Sequence, residues 1–348
     1  MMDQFLSGAD DEVFNWVKKS KMIESIVRIP GDASARKYYR ICSRSASYVV
    51  MRMEPFLEQG KNLSFLVVQN HLKTSGVHVP QILDIDPVKG FILLEDLGDM
   101  TLLKKLQTVI DPNAERLLYQ RAIDGLVQLQ IFASPHLDSP VDSRSIEAFQ
   151  LRFDQDKLMW EVQFTLDHFY QLYLKRNITE VHQKAIISEF SQICTILANE
   201  PTVLTHRDFH SRNLMVVPRD KFEERFVMID FQDARMGPSQ YDLASLLKDS
   251  YYQLEETQVQ FLIQYYLARY EALSHQTVDH SHFLEIFDFM SIQRNFKAIG
   301  SFASFLNRRG DPSYLKYIGN TFENIRRTLL KYPQYSSLRE LLFHYYYF

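Results

Sequence analysis

The sequence is short of the features that mark secreted, membrane-spanning and metal-bound proteins. It contains two cysteines in 348 residues, Cys42 and Cys194, and neither lies in a CxxC or histidine-rich segment. We therefore predict no zinc site and two free thiols, which suit a reducing compartment. No apolar run approaches the length of a membrane span, and the acidic N-terminus lacks the basic and apolar segments of a signal peptide. These absences predict a soluble, cytoplasmic protein.

An excess of positive charge is also missing. The chain has 39 Lys and Arg against 43 Asp and Glu, a formal net charge of -4, whereas nucleic-acid-binding domains are typically basic. We therefore predict no nucleic-acid or membrane partner, and nothing in the sequence indicates an obligate protein partner. A hydrophobic content of 46% is ordinary for a globular chain of this length, which can bury a sizeable core.

The N-terminal third is rich in short β-type segments. β-Branched and aromatic residues separated by turn residues predict a sheet, because strands favour such side chains. A helix is predicted over 62–75, with Asn62 as its cap and Gly76 at its end. Five segments are predicted as antiparallel strands: 25–29, 35–41, 47–53, 77–86 and 90–96.

The remainder of the chain is mainly helical in pattern. Apolar residues recur at helical spacing from about 102 to 200, as in 117–132 and 157–174. Two short apolar strands, 214–217 and 225–231, predict a hairpin, and the segment after them is helical again. The predicted fold class is α+β, with a five-stranded antiparallel lobe at 1–97 and a mostly helical lobe holding one hairpin at 98–348.

The segment LTHRDFHSRNLMVV carries the strongest chemical signal. Asp208 is followed five positions later by Asn213, and Asp230 comes seventeen residues after that. Phosphoryl transfer needs a carboxylate beside the acceptor hydroxyl, together with an amide oxygen and a second carboxylate that hold Mg²⁺ against the phosphates. A single Asp or Asn in a loop is usually a cap or turn residue. The three residues flanking one predicted hairpin favour a phosphotransfer site instead.

These segments resemble a known family. LTHRDFHSRNL and IDFQDARMGPSQYDLASL look like the aminoglycoside phosphotransferase superfamily. GDASARKYYRI, LLEDLGDMTL and QRNFKAIGSFASFLNRRGDPSYL are similar to stretches of its bacterial anomeric kinases of N-acetylmuramate and N-acetylglucosamine. The matches run in the same order from about residue 30 to 320. The resemblance implies a protein-kinase-like two-lobed fold and phosphorylation of a small molecule with ATP and Mg²⁺.

The resemblance also implies roles for residues of the predicted catalytic loop. Asp208 would be the catalytic base, and Asn213 and Asp230 would be the magnesium ligands. Asp242, in YDLASL, resembles a buried carboxylate at a helix start that hydrogen-bonds the catalytic loop. His206 is predicted to be a packed anchor of that loop and not a metal ligand.

Four further residues are predicted on the substrate side. Asp233 either assists near the metal or caps a turn, and His210 and Arg212 face either the acceptor or solvent. Arg294, in QRNFKAIG, is the preferred substrate-side arginine.

The resemblance places the helix that carries Trp160 and Glu161 beside the sugar. We predict that Trp160 itself belongs to the core.

The predicted nucleotide contacts lie in the first lobe. The loop PGDAS takes the place of a phosphate-covering loop, and its small residues let backbone N–H groups approach phosphate oxygens. Arg52 stands where this fold usually carries a lysine, without a clear glutamate partner on the 62–75 helix, and is either a phosphate ligand or an exposed strand residue. By resemblance, the backbone at Glu95 and Leu97 would bond the adenine edge. The predicted cofactor-binding residues are Gly31, Ala33, Ser34, Arg52, Glu95 and Leu97.

The acceptor is predicted to be a small molecule. Only eleven residues separate Asp230 from Asp242 and none reads A-P-E, so there is no peptide-docking activation segment. Residues 275–348 carry nine Lys and Arg against six Asp and Glu, which suits a neutral or anionic acceptor better than a polycationic one.

Three hypotheses for the function remain open at this point. The first is an amino-sugar anomeric kinase, and the second is a kinase of choline, a related alcohol or an antibiotic. The third is a nucleotide-binding regulator without turnover. Retention of Asp208, Asn213 and Asp230 argues against the regulator.

Overall fold

The computed structural model describes residues 8–18, 23–30, 36–44, 46–135, 146–219 and 223–348. The first lobe is a five-stranded sheet, and the rest of the described chain is mainly helical. The nine strands found within these ranges are β1 Ser25–Ile29, β2 Lys37–Cys42, β3 Ser47–Arg52, β4 Ile82–Asp86, β5 Phe91–Glu95, β6 Thr202–Thr205, β7 Leu214–Pro218, β8 Glu224–Met228 and β9 Arg235–Pro238.

Twelve α-helices occur in the same ranges, and a π-helical segment, Leu166–Tyr173, continues the sixth. None of these helices is long and apolar enough to cross a membrane. The helices are α1 Gly8–Lys18, α2 Ser64–Thr74, α3 Leu102–Leu106, α4 Pro112–Phe132, α5 Glu147–Gln150, α6 Gln155–Thr165, α7 Glu180–Ala198, α8 Gln240–Leu247, α9 Glu256–Ser274, α10 His280–Arg309, α11 Ile318–Leu329 and α12 Ser336–Tyr347.

The first sheet has the strand order β1-β2-β3-β5-β4, and all four strand pairs are antiparallel. The predicted α+β fold, with a five-stranded lobe followed by a helical one, is therefore confirmed. β5 ends at Glu95 and α3 begins at Leu102, so the predicted lobe boundary at 97/98 falls in the segment that connects them. The division of the chain at that point remains a prediction.

The two faces of this sheet pack against different parts of the chain. On the outer face, Val50 and Phe91 are buried against Val13 and Val17 of α1. On the inner face, Met51 joins a core that continues into the helical lobe. Side chains alternate between the faces of a strand, so the position of a residue along β3 decides which environment it meets. Helix α1 was not predicted from the sequence.

Helix α2 differs from its prediction at its start. It begins at Ser64, after a 3₁₀ turn at Gly60–Asn62, and Leu63 occupies the N-cap without a side-chain bond. The predicted cap at Asn62 is therefore wrong. The predicted stop is confirmed, because Gly76 follows the helix with a φ of +77°, a left-handed conformation that glycine adopts without strain.

The helical lobe holds two small sheets, although one hairpin was predicted. β7 and β8 form that hairpin, and β6 pairs antiparallel with β9. The β6–β9 pair joins strands about thirty residues apart, and each has only four residues, so its sequence signal is weak. β8 ends at Met228, which leaves Asp230 in the loop between β8 and β9, with a left-handed φ of +66°.

Candidate active site

The loop between β6 and β7 brings the three predicted catalytic residues together. The Asn213 side-chain amide donates to the Asp208 carbonyl at 3.0 Å. The Ile229 N–H donates to the Asn213 carbonyl, also at 3.0 Å. Since Asp230 directly follows Ile229, these two bonds fix Asp208, Asn213 and Asp230 at one end of the β7–β8 hairpin. The sequence reasoning expected this arrangement.

A buried carboxylate at the start of α8 accepts hydrogen bonds from the backbone of this loop. The two oxygens of Asp242 accept the backbone N–H groups of His206 at 2.6 Å and Arg207 at 3.0 Å. Burial raises the pKa of Asp242 to about 7, against the opposite effect of these two bonds. Arg207 has a φ of +79°, a conformation that the bonds to Asp242 help to hold. The predicted role of Asp242 as a buried support for the loop is confirmed.

His206 ties the loop to the segment that carries Asp230. Its side chain is buried, and its Nε2 donates to the Ile229 carbonyl at 2.9 Å. Burial lowers the pKa of His206, more than the nearby carboxylates raise it. This confirms the predicted role as a packed anchor.

A second buried carboxylate, which the sequence analysis missed, holds the far side of the loop. Asp249 accepts both the backbone N–H and the hydroxyl of Ser211, at 3.0 and 2.6 Å. The Ser211 carbonyl in turn accepts the N–H of Leu103 in α3. No local motif marks Asp249, because its partner lies 38 residues earlier in the chain.

Lys297, from the central part of α10, supplies positive charge next to Asp208. Its Nζ lies 3.4 Å from Asp208 Oδ1, and the two side chains are 17% and 29% exposed. Burial alone would raise the pKa of Asp208, but the charges of Lys297, Arg207 and Arg294 outweigh it and hold that pKa well below its usual range. The carboxylate is therefore ionised at any physiological pH.

Lys297 lies in the segment QRNFKAIG but was not among the predicted site residues. The available signal was its spacing three residues after Arg294 on one helix, which places both on the same side. Arg294 is buried, at 6% exposure, and its Nη1 has no hydrogen-bond partner among the described residues. Its charge lowers the pKa of Asp208, so Arg294 lies close to the catalytic loop.

His210 and Arg212 both contact an aromatic cluster of the helical lobe. The His210 ring meets Tyr251 edge-on at 5.0 Å between centroids, and burial lowers the pKa of His210 to about 3. The Arg212 guanidinium lies over Tyr251 and Tyr314, 4.9 and 5.2 Å from their ring centroids. These contacts place the two side chains on the helical-lobe side of Asp208.

Asp233 pairs with a residue of the catalytic loop. One of its carboxylate oxygens lies 3.1 Å from Nη1 of Arg207, and the Asp233 side chain is largely exposed. The ion pair links the segment after Asp230 to the residue that precedes Asp208.

Helix α6 exposes Trp160 to solvent and buries Glu161. Trp160 is 56% exposed, so the prediction that it belongs to the core is wrong. Glu161, in contrast, is buried, accepts from Gln293 Nε2 at 3.1 Å and lies 3.5 Å from Lys157 Nζ. The core-facing positions of α6 are Leu158, Glu161, Val162 and Thr165, a spacing that turns position 160 toward solvent.

The predicted nucleotide contacts are only partly visible. Gly31, Ala33 and Ser34 lie outside the described residues. The Glu95 carboxylate accepts from Arg225 of β8, and the Glu95 backbone N–H donates to the Gln81 carbonyl at 2.9 Å. Leu97 lies two residues further on, in the segment that connects the lobes.

Arg52 lies on the outer face of the sheet. It pairs across the strands with Phe91, which is buried against α1, and its Nη2 lies 3.3 Å from Glu12 of that helix. Residues directly opposite each other on paired strands share a face. The structure therefore does not bring Arg52 together with Asp208, Asn213 and Asp230.

The donor set suits a cation held jointly with phosphates. In the described part of the chain there is no group of three or more His, Cys, Asp or Glu side chains that could hold a metal. Because Nδ2 of Asn213 donates to Asp208, its amide oxygen is oriented as an acceptor, and the Asp230 carboxylate is exposed beside it. One amide oxygen and one carboxylate are a sufficient protein share for Mg²⁺, which keeps waters and phosphate oxygens as its other ligands.

Comparison with known proteins supports the same chemistry. The chain is 31% identical over 322 residues to an N-acetylmuramate/N-acetylglucosamine kinase of Pseudomonas aeruginosa, covering 91% of this chain and 87% of that one. A protein of the same name from Neisseria meningitidis is 30% identical over 312 residues, with 89% and 87% covered.

Among solved structures, the ADP-bound aminoglycoside phosphotransferase APH(2'')-Ib is similar to this chain with a TM-score of 0.60 and 15% identity. The alignment covers 91% of this chain and 97% of that one. At that identity the similarity concerns the fold, and it confirms the predicted protein-kinase-like architecture. The sequence profile of the phosphotransferase enzyme family matches residues 25–276. The chain therefore belongs to the phosphotransferase enzyme family.

Proposed function

We propose that this enzyme transfers the γ-phosphoryl group of ATP to the anomeric hydroxyl of N-acetylmuramate or N-acetylglucosamine, with Mg²⁺ as its metal. The acceptor is taken from the names of relatives that are 30–31% identical over about nine-tenths of this chain. The charge distribution around Asp208 supports the same acceptor class.

Asn213 and Asp230 would hold Mg²⁺ in this proposal. The chemistry that the ion would supply there is neutralisation of negative charge on the phosphates. Asn213 and Asp230 are joined through the bond between Ile229 and Asn213, so their relative position is set by the hairpin before any nucleotide arrives. The protein contribution is positioning, which supplies most of the catalysis in phosphoryl transfer.

Asp208 would orient the sugar hydroxyl and receive its proton. The bond from the sugar oxygen to phosphorus forms as the bond from phosphorus to the ADP oxygen breaks, and the proton passes to the carboxylate. A carboxylate with a lowered pKa is a weak base, so the acceptor must release its proton readily or late in the reaction. An anomeric hydroxyl meets this need, because it is more acidic than an ordinary alcohol.

The observation that carries the acceptor class is the positive charge around Asp208. Lys297 lies 3.4 Å from this carboxylate and the charge of the buried Arg294 lowers its pKa, whereas Arg207 is paired with Asp233. Such a site favours a neutral or anionic acceptor and repels a polycationic aminoglycoside. The basic balance of 275–348 points the same way and favours the acid-bearing muramate over glucosamine.

An acceptor panel with phosphorus NMR of the product tests the proposal. We expect ADP release with either amino sugar, and a product in which phosphorus couples to the anomeric proton. Asp208→Asn should reduce turnover by at least about 10²-fold, since it removes the proton acceptor and preserves volume. A 6-phosphate product, or turnover only with choline or aminoglycosides, would refute the anomeric assignment. No ADP release with any acceptor would favour a regulator without turnover.

A further inference from the structure

The inner face of the first sheet has a cation near Asp230 that does not come from β3. On β2, Tyr38 pairs opposite Met51, whose side chain belongs to the core on the inner face. Arg36 precedes Tyr38 by two residues and so lies on the same face. Lys37, between them, pairs opposite Arg52 on the outer face.

Arg36 is held against an aromatic stack that ends beside Asp230. Its guanidinium carbon lies 5.5 Å from the ring centroid of Phe65 in α2. Phe65 stacks on Phe231 with centroids 5.2 Å apart and planes within 19°, and Phe231 directly follows Asp230. The stack therefore connects β2, α2 and the proposed metal ligand.

The Tyr38 hydroxyl is affected by the charges of both Arg36 and Asp230. Burial raises the pKa of the Tyr38 hydroxyl, the charge of Arg36 lowers it, and the charge of Asp230 raises it. Arg36 also hydrogen-bonds this hydroxyl. Both charged groups therefore lie near the Tyr38 hydroxyl.

Helix α2 offers this cation an aromatic ring and no carboxylate. Kinase-like sites commonly fix the phosphate-binding lysine with a glutamate of the corresponding helix. The sequence of α2, SFLVVQNHLKT, contains no Asp or Glu. An arginine side chain carries five N–H donors in a planar fork, a geometry that suits paired bonds to phosphate oxygens.

We propose that Arg36, held against Phe65, binds the β- and γ-phosphates of the nucleotide, in a fold whose strand β3 here offers them no lysine. Arg36 binds substrate directly, and Phe65 is a positioning residue. The inference rests on ATP being the phosphoryl donor and does not depend on the identity of the acceptor.

Calorimetric titration with a non-hydrolysable Mg-ATP analogue and with AMP, without any acceptor, tests this assignment. We expect Arg36→Ala to weaken binding of the analogue by about 10- to 100-fold, the usual effect of losing charge-assisted bonds, and to leave AMP within about twofold. Lys37→Ala is the matched control, since it removes the neighbouring cation from the outer face. Phe65→Leu keeps an apolar side chain but removes the ring, and should weaken the analogue selectively as well.

Several outcomes would overturn the assignment of Arg36. One is an Arg36→Ala variant that keeps its melting temperature and wild-type affinity for the analogue. Another is selective loss in Arg52→Ala instead. If Arg36→Ala does not fold, unchanged analogue binding by Arg36→Gln would have the same meaning. Wild-type protein that binds no Mg-ATP would refute this inference and the proposed function together, whereas normal binding with an unexpected acceptor would refute only the latter.

Discussion

We expect removal of the Lys297 charge beside Asp208 to have a large effect on turnover. Lys297→Met removes the ammonium group 3.4 Å from the carboxylate and should lower kcat by about 100-fold, because that charge would stabilise the negative charge on the phosphoryl group as it is transferred beside Asp208. KM for ATP should change little, and Lys297→Arg should restore part of kcat. Steady-state kinetics would measure kcat and KM for ATP separately.

Lys184→Met is the control for Lys297→Met, because it removes an exposed lysine of α7 whose partner, Glu180, lies one turn away. If Lys297→Met keeps the wild-type kcat, Lys297 is a surface charge without a role in turnover.

The raised pKa of Asp242 predicts a pH-dependent contribution to stability. The folded state holds a proton on Asp242 up to about pH 7, whereas the unfolded chain releases it near the ordinary value, about 4. Between these values the folded state binds more protons, so the stability that comes from this group falls as pH rises.

Asp242→Asn cannot titrate and offers one acceptor to two backbone N–H groups. The gap in melting temperature between wild type and this variant should therefore be larger at pH 5 than at pH 8. Thermal unfolding at both pH values would measure it, with Asp84→Asn on exposed β4 as the control. A gap that is larger at pH 8 would contradict the raised pKa.

Site residues whose proximity follows from a local pattern could be brought together from the sequence, and those supplied by distant helices could not. Asp208, Asn213 and Asp230 stand at fixed spacings around one hairpin. Lys297 reaches Asp208 from a helix 89 residues further along the chain. Trp160 was misplaced because hydrophobicity favours burial of a tryptophan, whereas α6 buries Glu161 beside Lys157 and Gln293 instead.

At the scale of elements, α2 is anchored to the helical lobe through a buried histidine. His71 is 7% exposed, and its Nε2 lies 2.7 Å from the Ala133 carbonyl, just past the end of α4. Its ring also meets Phe149 of α5 edge-on, at 5.2 Å. Phe65, on the same helix, contacts Phe231, which directly follows Asp230. α2 is therefore anchored to the helical lobe at both of these residues.

His71→Leu should destabilise the protein by about 1–3 kcal/mol, because it leaves the buried Ala133 carbonyl without its donor. His71→Gln, which can still donate, should lose less. Denaturant unfolding would measure both variants, with Lys73→Ala on the exposed side of α2 as the control. Equal stability of His71→Leu and wild type would mean that α2 is held by apolar packing alone.

Two kinds of element escaped prediction for different reasons. The β6–β9 pair has a long-range partner and four-residue strands, so nothing local distinguishes it. Helix α1 had a usable signal in the spacing of Val13, Trp16 and Val17, which matches one face of a helix. Its burial on the sheet also explains why Arg52 could not serve the cleft, since the face of β3 that carries Arg52 is the one that α1 covers.

For the whole molecule, the core that joins the lobes predicts cooperative unfolding. One apolar cluster includes Met51 and Leu94 of the sheet, Phe65 of α2 and the interior of the helical lobe. Calorimetry should therefore show a single transition, although chains of this length often show more than one. Two separate transitions would show that the lobes unfold independently.

A saturating Mg-ATP analogue at about 100 times its Kd should stabilise the folded state by about 2.7 kcal/mol.

The anchoring of α2 has a consequence for the design of inhibitors. Protein kinases are regulated in part by displacing the equivalent helix from its active position. Here the displacement would break the bond between His71 and Ala133 and separate Phe65 from Phe231. Compounds built for a displaced helix should therefore bind this enzyme poorly. Selectivity would have to come from features of the assembled cleft, such as Arg36 and the positive charges around Asp208.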